Sequence, residues 1–428
     1  MEDVSDSALE KLRGLESSEP ESSESLLPGD IALLSERSTP IPADLPKWYH
    51  RSRPRFWGFD SKKDDFEIRP PARSSLAKKR RRRRRLRICL IIAVVLLFLG
   101  SAAGVTYVSL VGALIRRLSP ARPHNGLQHV LENWKEPTAA GPYRFDWRDD
   151  FSRDVVPKNC HSHNDYWRDV PLYQALAAGC VGVEADIWLM QDGELRVSHT
   201  WRSIRTERTL RNLYLDPLAN ILTNRNVSVA STEAKEVGVF EVDPNISVIL
   251  LIDFKDNGEA IWPVLMEQLQ PLHEKGWLTY YNGQEVVKGP LTIVGTGETP
   301  FERIQQNNTD RIIFYDAPLD DISNPIYTSA NSYYASVKMR KAISTLWLNR
   351  ISRAQQETLQ RQINAAAAKG LVSRYWGTPS WPISLRTKIW FTLSEMGVGI
   401  LNVDELDGAT RWDWNWCVVA GLSLCGNR

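Results

Sequence analysis

Glu184 and Asp186 stand two residues apart inside an apolar run covering 181–189. Side chains at i and i+2 of a strand share a face, and two carboxylates on one buried face repel unless a cation lies between them. A buried Arg or Lys is the other way to satisfy the pair. Asp253 and Lys255 repeat the spacing after the apolar residues 249–252, adding a third carboxylate and an ammonium on one face. Three carboxylates without a thiolate suit one hard divalent ion, Mg²⁺ or Ca²⁺. His161, His163 and His199 lie nearby in the sequence, out of seven histidines in the chain. Two histidines beside such an ion suit acid–base work, and the ion with Lys255 suits neutralising a phosphate.

Asp192-Gly193 is a strong hairpin signal. A two-residue turn there pairs Gln191 with Glu194 and, further out, Asp186 with His199. Cross-strand partners have Cβ atoms about 5 Å apart, so the turn brings a histidine to the carboxylates.

The elements that carry these residues alternate. Strands are expected at 155–161, 181–189, 247–254, 291–295, 311–315, 332–339, 370–375 and 398–403. Helices are expected at 170–178, 259–275, 353–369 and 381–396. Apolar strands alternating with helices imply a parallel sheet covered by helices, and this number and length match a closed (β/α)₈ barrel, a TIM barrel of the α/β class. An open doubly wound sheet is the alternative, but no Gly-rich phosphate loop follows a strand. In a barrel, chemistry gathers at the C-terminal strand ends; His161, His163, Asn164, Asp253, Lys255 and Asp404 all fall there.

The 428-residue chain has a net charge of +2 that averages two opposed segments. Residues 1–50 hold eleven acids and four bases, and 51–87 hold sixteen bases and four acids. Neither has the periodicity to bury a core, so 1–87 reads as a disordered tail. The basic run ending at Arg87 would suit nucleic acid if it stood alone, but residues 88–115 follow without a charge, enough for a single transmembrane signal-anchor helix. Nine bases before the span, against Arg116 and Arg117 after it, predict a type II protein with a cytosolic N-terminus. The remaining domains are a linker at 116–150, the barrel at 151–410 and a tail at 411–428, on the lumenal or extracellular side. Glycosylation sequons at Asn226, Asn245 and Asn307 follow the span, as do Cys160, Cys180, Cys417 and Cys425. Cys417 and Cys425 are close enough to close a small loop; Cys160 and Cys180 fall at opposite ends of neighbouring parallel strands, which argues against their pairing.

The run VEADIWLMQDGELRVSHT resembles the phospholipase C-like phosphodiesterase superfamily, which includes glycerophosphodiester phosphodiesterases and sphingomyelinases D. LLIDFK resembles its later metal-ligand strand, and SRYWGTP the substrate-side Tyr-Trp of sphingomyelinase D. HSHNDY and GVGILNVDEL look closest to the fungal altered inheritance of mitochondria protein six family. The resemblance covers roughly 155–410 and implies a metal-dependent phosphoric diester hydrolase acting on a lipid or lipid-derived phosphodiester. It implies Glu184, Asp186 and Asp253 as metal ligands and His161 with His199 as the acid–base pair. Lys255 would bind phosphate, with Asn164, Tyr375 and Trp376 at the substrate. The chain departs from the glycerophosphodiesterase His-Arg-Gly opening, which puts glycerol recognition in doubt; its acidic N-terminus is unlike a mitochondrial transit peptide. Two alternatives remain: a zinc amidohydrolase-type hydrolase using His161 and His163, and an inactive membrane-anchored binding barrel.

Overall fold

The computed structural model describes residues 73–118, 124–230, 238–346, 350–410, 418–419 and 422–423. The chain divides into two units, Met1–Arg81 and Arg82–Arg428. Of the first, only the start of helix α1 (Arg73–Leu118) is described. By length and composition α1 is long and apolar enough to cross a membrane. It begins well before Ile88, so the expectation of disorder is corrected for 73–87. Lys and Arg are good helix formers, and a helix nucleated in the apolar stretch extends into them at little cost. The rest of that expectation, 1–72, lies outside the described residues.

The second unit carries strands β1 (Lys158–Ser162), β2 (Cys180–Leu189), β3 (Leu195–Val197), β4 (Val248–Phe254), β5 (Tyr280–Tyr281), β6 (Val286–Val287), β7 (Leu291–Gly297), β8 (Ile313–Pro318), β9 (Ser332–Lys338), β10 (Val372–Trp376) and β11 (Ile400–Val403). Eight of them pair in parallel in the order β1-β2-β4-β7-β8-β9-β10-β11, and β11 returns to β1 through His161 and Asn402. The sheet is therefore a closed TIM barrel. β3 pairs antiparallel to β2, and β5 and β6 form a separate two-stranded ribbon.

Helices α2 (Gly126–Asn133), α3 (Tyr173–Ala178), α4 (Asp216–Ala230), α5 (Gly258–Glu274), α6 (Phe301–Gln306), α7 (Met339–Ile343), α8 (Arg353–Ala368), α9 (Ile383–Glu395) and α10 (Leu406–Thr410) are the described α-helices of this unit, with short 3-10 or π turns at Asp165–Trp167, Trp201–Ser203, Arg211–Leu215 and Leu319–Asp321. Val183, Ala185, Ile187, Leu250 and Ile252 share one buried core with Leu218 and Leu222 of α4 and Leu265 and Leu269 of α5. Each buried Val, Ile or Leu contributes about 1.5–3 kcal/mol. Leu127 and Val130 of α2 are also fully buried. The barrel body thus begins in the segment expected as a linker. Residues 411–417, including Trp412, Trp414 and Trp416, lie outside the described residues; Val418–Val419 pairs antiparallel with Leu422–Ser423.

Two sequence expectations fail here. Helix α4 was not anticipated; it continues directly from a π-helical segment at Arg211–Leu215, so Pro217 stands inside the helical run rather than at its start. Cys160 and Cys180 do pair, with an S–S distance of 2.02 Å and Cα atoms 4.7 Å apart. β1 starts at Lys158 rather than 155, and Lys158 pairs with Cys180 before an irregularity in the ladder. Cys160 therefore meets the first residue of β2, not its far end. Cys417 and Cys425 lie outside the described residues.

Candidate active site

The carboxylates meet at the C-terminal mouth of the barrel. Glu184 and Asp186 project from β2, and Asp253 sits beside Asp186 in the β2–β4 register. One oxygen from each lies within 4.8 Å of the others. Asp186 is fully buried, and its Oδ1 has no hydrogen-bond partner. Lys255 Nζ lies 3.0 Å from Asp186 Oδ2 and 2.5 Å from Asp253 Oδ2. Burial pushes the Asp253 carboxyl up to about 6 despite the pull of Lys255. Burial, then the Glu184 charge, raises Asp186 as well. Lys255 and, below it, Arg374 are two cations against the four carboxylates Glu184, Asp186, Asp253 and Asp316, which leaves negative charge in excess. A Cβ at Gly297 (φ +66°) would collide with Asp253 Oδ1, so glycine there leaves room for the carboxylate.

Beneath the carboxylates lies a charged floor. Arg374 of β10 is 3% exposed. Its guanidinium bonds Ser336 Oγ at 2.9 Å, Asn402 Oδ1 at 2.8 Å and Asp316 Oδ2 at 3.2 Å. It also stands 3.8 Å from Glu184 Oε2 and over the Tyr334 ring. His161 is completely buried, with Nε2 3.5 Å from Glu184 Oε2 and Nδ1 3.3 Å from the Tyr334 hydroxyl. The first distance is a long, weak contact that leaves Nε2 without a full hydrogen bond but still facing the carboxylate. Burial pushes the His161 imidazole down to about 4, leaving it neutral near pH 7. Burial alone would raise Glu184, but His161 and Arg374 hold it below the usual carboxylate range. Gly182 admits the imidazole: a Cβ there would stand 2.5 Å from His161 Nδ1.

His199 reaches the site by a register different from the expected one. Ile187 pairs with Val197, and Met190 with Glu194 encloses a three-residue loop. Asp186 is therefore opposite Ser198, one residue off. His199 lies past the end of β3, where the chain is free to turn, and its Nδ1 still comes 3.1 Å from Asp186 Oδ2. The Tyr166 hydroxyl stands 2.7 Å from Asp186 Oδ2, 2.7 Å from Asn164 Oδ1 and 3.1 Å from His199 Nδ1. With one proton, it donates to one carboxylate or amide oxygen at a time and can accept from the imidazole. The His199 side chain is 43% exposed, so the two expected acid–base histidines differ sharply in access.

Another imidazole stands at the rim. His163 Nδ1 lies 2.7 Å from Asp404 Oδ1. Burial would lower the His163 pKa, but the Asp404 bond raises it overall; the same bond lowers Asp404. The raised histidine contributes stability below about pH 6.5, lost as pH climbs through its folded value. The lowered carboxylate contributes above about pH 4, lost on acidification through its folded value. Because the Asp404 side chain is 56% exposed, Asp404→Asn is expected to cost less than about 1 kcal/mol near pH 6. Urea midpoints near pH 6 and pH 9 check this, with the loss fading at the higher pH.

The remaining expected residues divide. Asn164 adopts a left-handed conformation, is buried, and accepts a hydrogen bond from the Tyr166 hydroxyl on its side-chain Oδ1. Tyr375 is corrected as a site residue: its hydroxyl donates to Leu359 O of α8 at 3.3 Å, on the barrel's outer side. Strand alternation explains this, because Arg374 and Trp376 share the inner face and Tyr375 the outer. Trp376 ends β10 beneath the Lys338 ammonium. Arg374, Tyr166, Tyr334 and Asp316 also belong to the site, and the one sequence signal among them is an arginine inside a short apolar strand. Among the described residues the candidate metal group is all-oxygen, which disfavours the zinc amidohydrolase reading.

Residues 149–316 match the model of the AIM6-like phosphodiesterase domain. The chain is 39% identical over 296 residues to the altered inheritance of mitochondria protein 6 homolog of Arthroderma benhamiae, covering 66% of this chain and 91% of that protein. It is 34% identical over 277 residues to altered inheritance of mitochondria protein 6 of Saccharomyces cerevisiae strain RM11-1a, covering 60% of this chain and 70% of that one. Among solved structures, the glycerophosphodiester phosphodiesterase of Thermotoga maritima aligns at a TM-score of 0.31 and 16% identity over 59% of this chain and 95% of that one. The barrel assignment above stands on this chain's own strand register.

Proposed function

The chain belongs to the altered inheritance of mitochondria protein 6 family, and from that premise we propose that its phosphodiesterase-like barrel is a membrane-anchored, divalent-metal-dependent phosphoric diester hydrolase acting on a lipid or lipid-derived phosphodiester. The carrying observation is the trio of buried Glu184 and Asp186 with half-buried Asp253, within 4.8 Å, with an unpartnered Asp186 oxygen and His199 alongside. Oxygen donors in excess of the local positive charge fit one hard cation, Mg²⁺ or Ca²⁺. Such an ion, when bound, polarises a phosphoryl oxygen.

The chain's own groups account for the rest. Asp186 and Tyr166 hold His199 by Nδ1, leaving Nε2 to take a proton from the nucleophile or give one to the leaving oxygen. Lys255 supplies positive charge for the phosphate. Arg374 and His161 bracket Glu184, so in this conformation His161 acts as a positioning residue rather than meeting substrate. Asn164 fixes Tyr166, and Trp376 lines the inner face near the mouth.

Helix α1 is read as the single membrane span, with the Lys78–Arg87 side cytosolic. The Cys160–Cys180 disulfide supports an oxidising, lumenal or extracellular side for the barrel.

The full chain in detergent is expected to cleave members of a lysophospholipid and glycerophosphodiester panel with Mg²⁺ or Ca²⁺, and to stop with EDTA. Ion at about 100 times its Kd should add about 2.7 kcal/mol of stability, a shift that Asp253→Asn abolishes. Undiminished cleavage after complete chelation, or two bound zinc ions per chain, would sink the reading. Failure on the whole panel would leave the binding-barrel alternative.

A further inference from the structure

Among the described residues three tryptophans are more than half exposed: Trp167 at 63%, Trp201 at 58% and Trp381 at 75%. Their positions coincide. Trp167 follows β1, Trp201 lies on the return from the β2–β3 hairpin beside Trp188, and Trp381 follows β10. All three belong to the C-terminal mouth that holds the carboxylates. The Trp167 ring lies 4.7 Å from the His199 ring, linking the rim to the site. Tryptophan is poorly placed in bulk water and well placed at a boundary that is apolar on one side and wet on the other.

The tether identifies the occupant. Helix α1 ends at Leu118, while Leu127 of α2 is already fully buried in the barrel body. Residues 119–124 are the whole connection, because Asn125 and Gly126 already bond Arg153 and Asp150, a reach of at most about 25 Å even when extended. A span in the membrane therefore keeps the barrel at the bilayer surface; because Gly126 and Leu127 bond Asp150 and Phe151 near the N-terminal strand ends, the tether fixes the membrane as neighbour and the exposed tryptophans choose the face. Arg202, Arg205, Lys338 and Arg340 are exposed at the same mouth and suit lipid phosphates, but exposed Asp169, Glu207, Asp256, Glu298, Asp320 and Asp404 outnumber them. Apolar insertion, more than charge, must carry the contact.

We propose that the tryptophan-bearing mouth docks on the phospholipid bilayer that holds α1, so that the site takes phosphodiesters presented in that bilayer. This rests on the membrane and phosphodiesterase readings given above.

The test uses the full chain in phosphatidylcholine vesicles, with or without bromine on the acyl chains. Helix α1 contains no tryptophan, so it adds no background. Wild-type emission should be quenched by the brominated lipid, and W201S/W381S should lose the share due to two of the sixteen tryptophans. Cleavage of a vesicle-borne phosphodiester should fall about tenfold in that variant, with water-soluble bis(p-nitrophenyl) phosphate cleaved as by wild type. Equal quenching of the two proteins overturns the docking. If neither substrate is cleaved, the phosphodiesterase reading fails, and the quenching difference still decides whether the mouth meets lipid.

Discussion

Replacing His199 with alanine is expected to slow phosphodiester cleavage by about 10²–10⁴-fold while the chain stays folded. Its imidazole is 43% exposed, so truncation leaves no closed cavity. Asp186 keeps the Tyr166 hydroxyl and the Lys255 ammonium as partners, so no buried charge is stranded. The loss should therefore fall on turnover, with the thermal midpoint in EDTA almost unchanged. Divalent-ion stabilisation should also persist, because all three carboxylates remain. A variant as fast as wild type would remove His199 from the chemistry. One that unfolded would show the imidazole to be structural, contrary to its exposure.

Burial pattern decides which parts of the site show in the sequence. The apolar strands β2 and β4 were legible because burial on both faces leaves a continuous run, and acids inside such a run stand out. Glu184, Asp186 and Asp253 followed directly. Strand ends and registers were harder, since they depend on turns and ladder irregularities with weak local signals. A three-residue loop in place of a two-residue turn shifted His199 by one position, yet the contact survived because the residue lies beyond the ladder. The displaced start of β1 reversed the Cys160–Cys180 reading for the same reason. Arg374 was obscured by its neighbours: the Tyr-Trp pair drew attention, although alternation turns Tyr375 outward and Arg374 inward. Its partners come from β2, β8, β9 and β11, and only barrel closure brings those strands together.

That convergence makes Arg374→Met the substitution with the largest expected cost in stability. Asp316 is buried, its Oδ1 has no hydrogen-bond partner, and beside the guanidinium on Oδ2 the Ser336 and Thr296 hydroxyls steady its charge. Removing the arginine strands Asp316 and withdraws a positive charge from Glu184. Breaking a buried ion pair from one side typically costs about 3–5 kcal/mol, which at roughly 2–4 °C per kcal/mol lowers the thermal midpoint by on the order of 10 °C. Arg374→Lys should fall between, because an ammonium keeps the charge but lacks the planar fork that reaches Ser336, Asn402 and Asp316 together. Adding Asp316→Asn to Arg374→Met should recover part of the loss, and the double-mutant cycle measures the coupling. Since Arg374 also steadies Glu184, Arg374→Lys should weaken divalent-ion stabilisation even where the fold persists. A cost below about 1 kcal/mol for Arg374→Met would mean that Asp316 is held neutral by burial, which already raises its pKa, and that the floor is a hydrogen-bonded network rather than an ionic one.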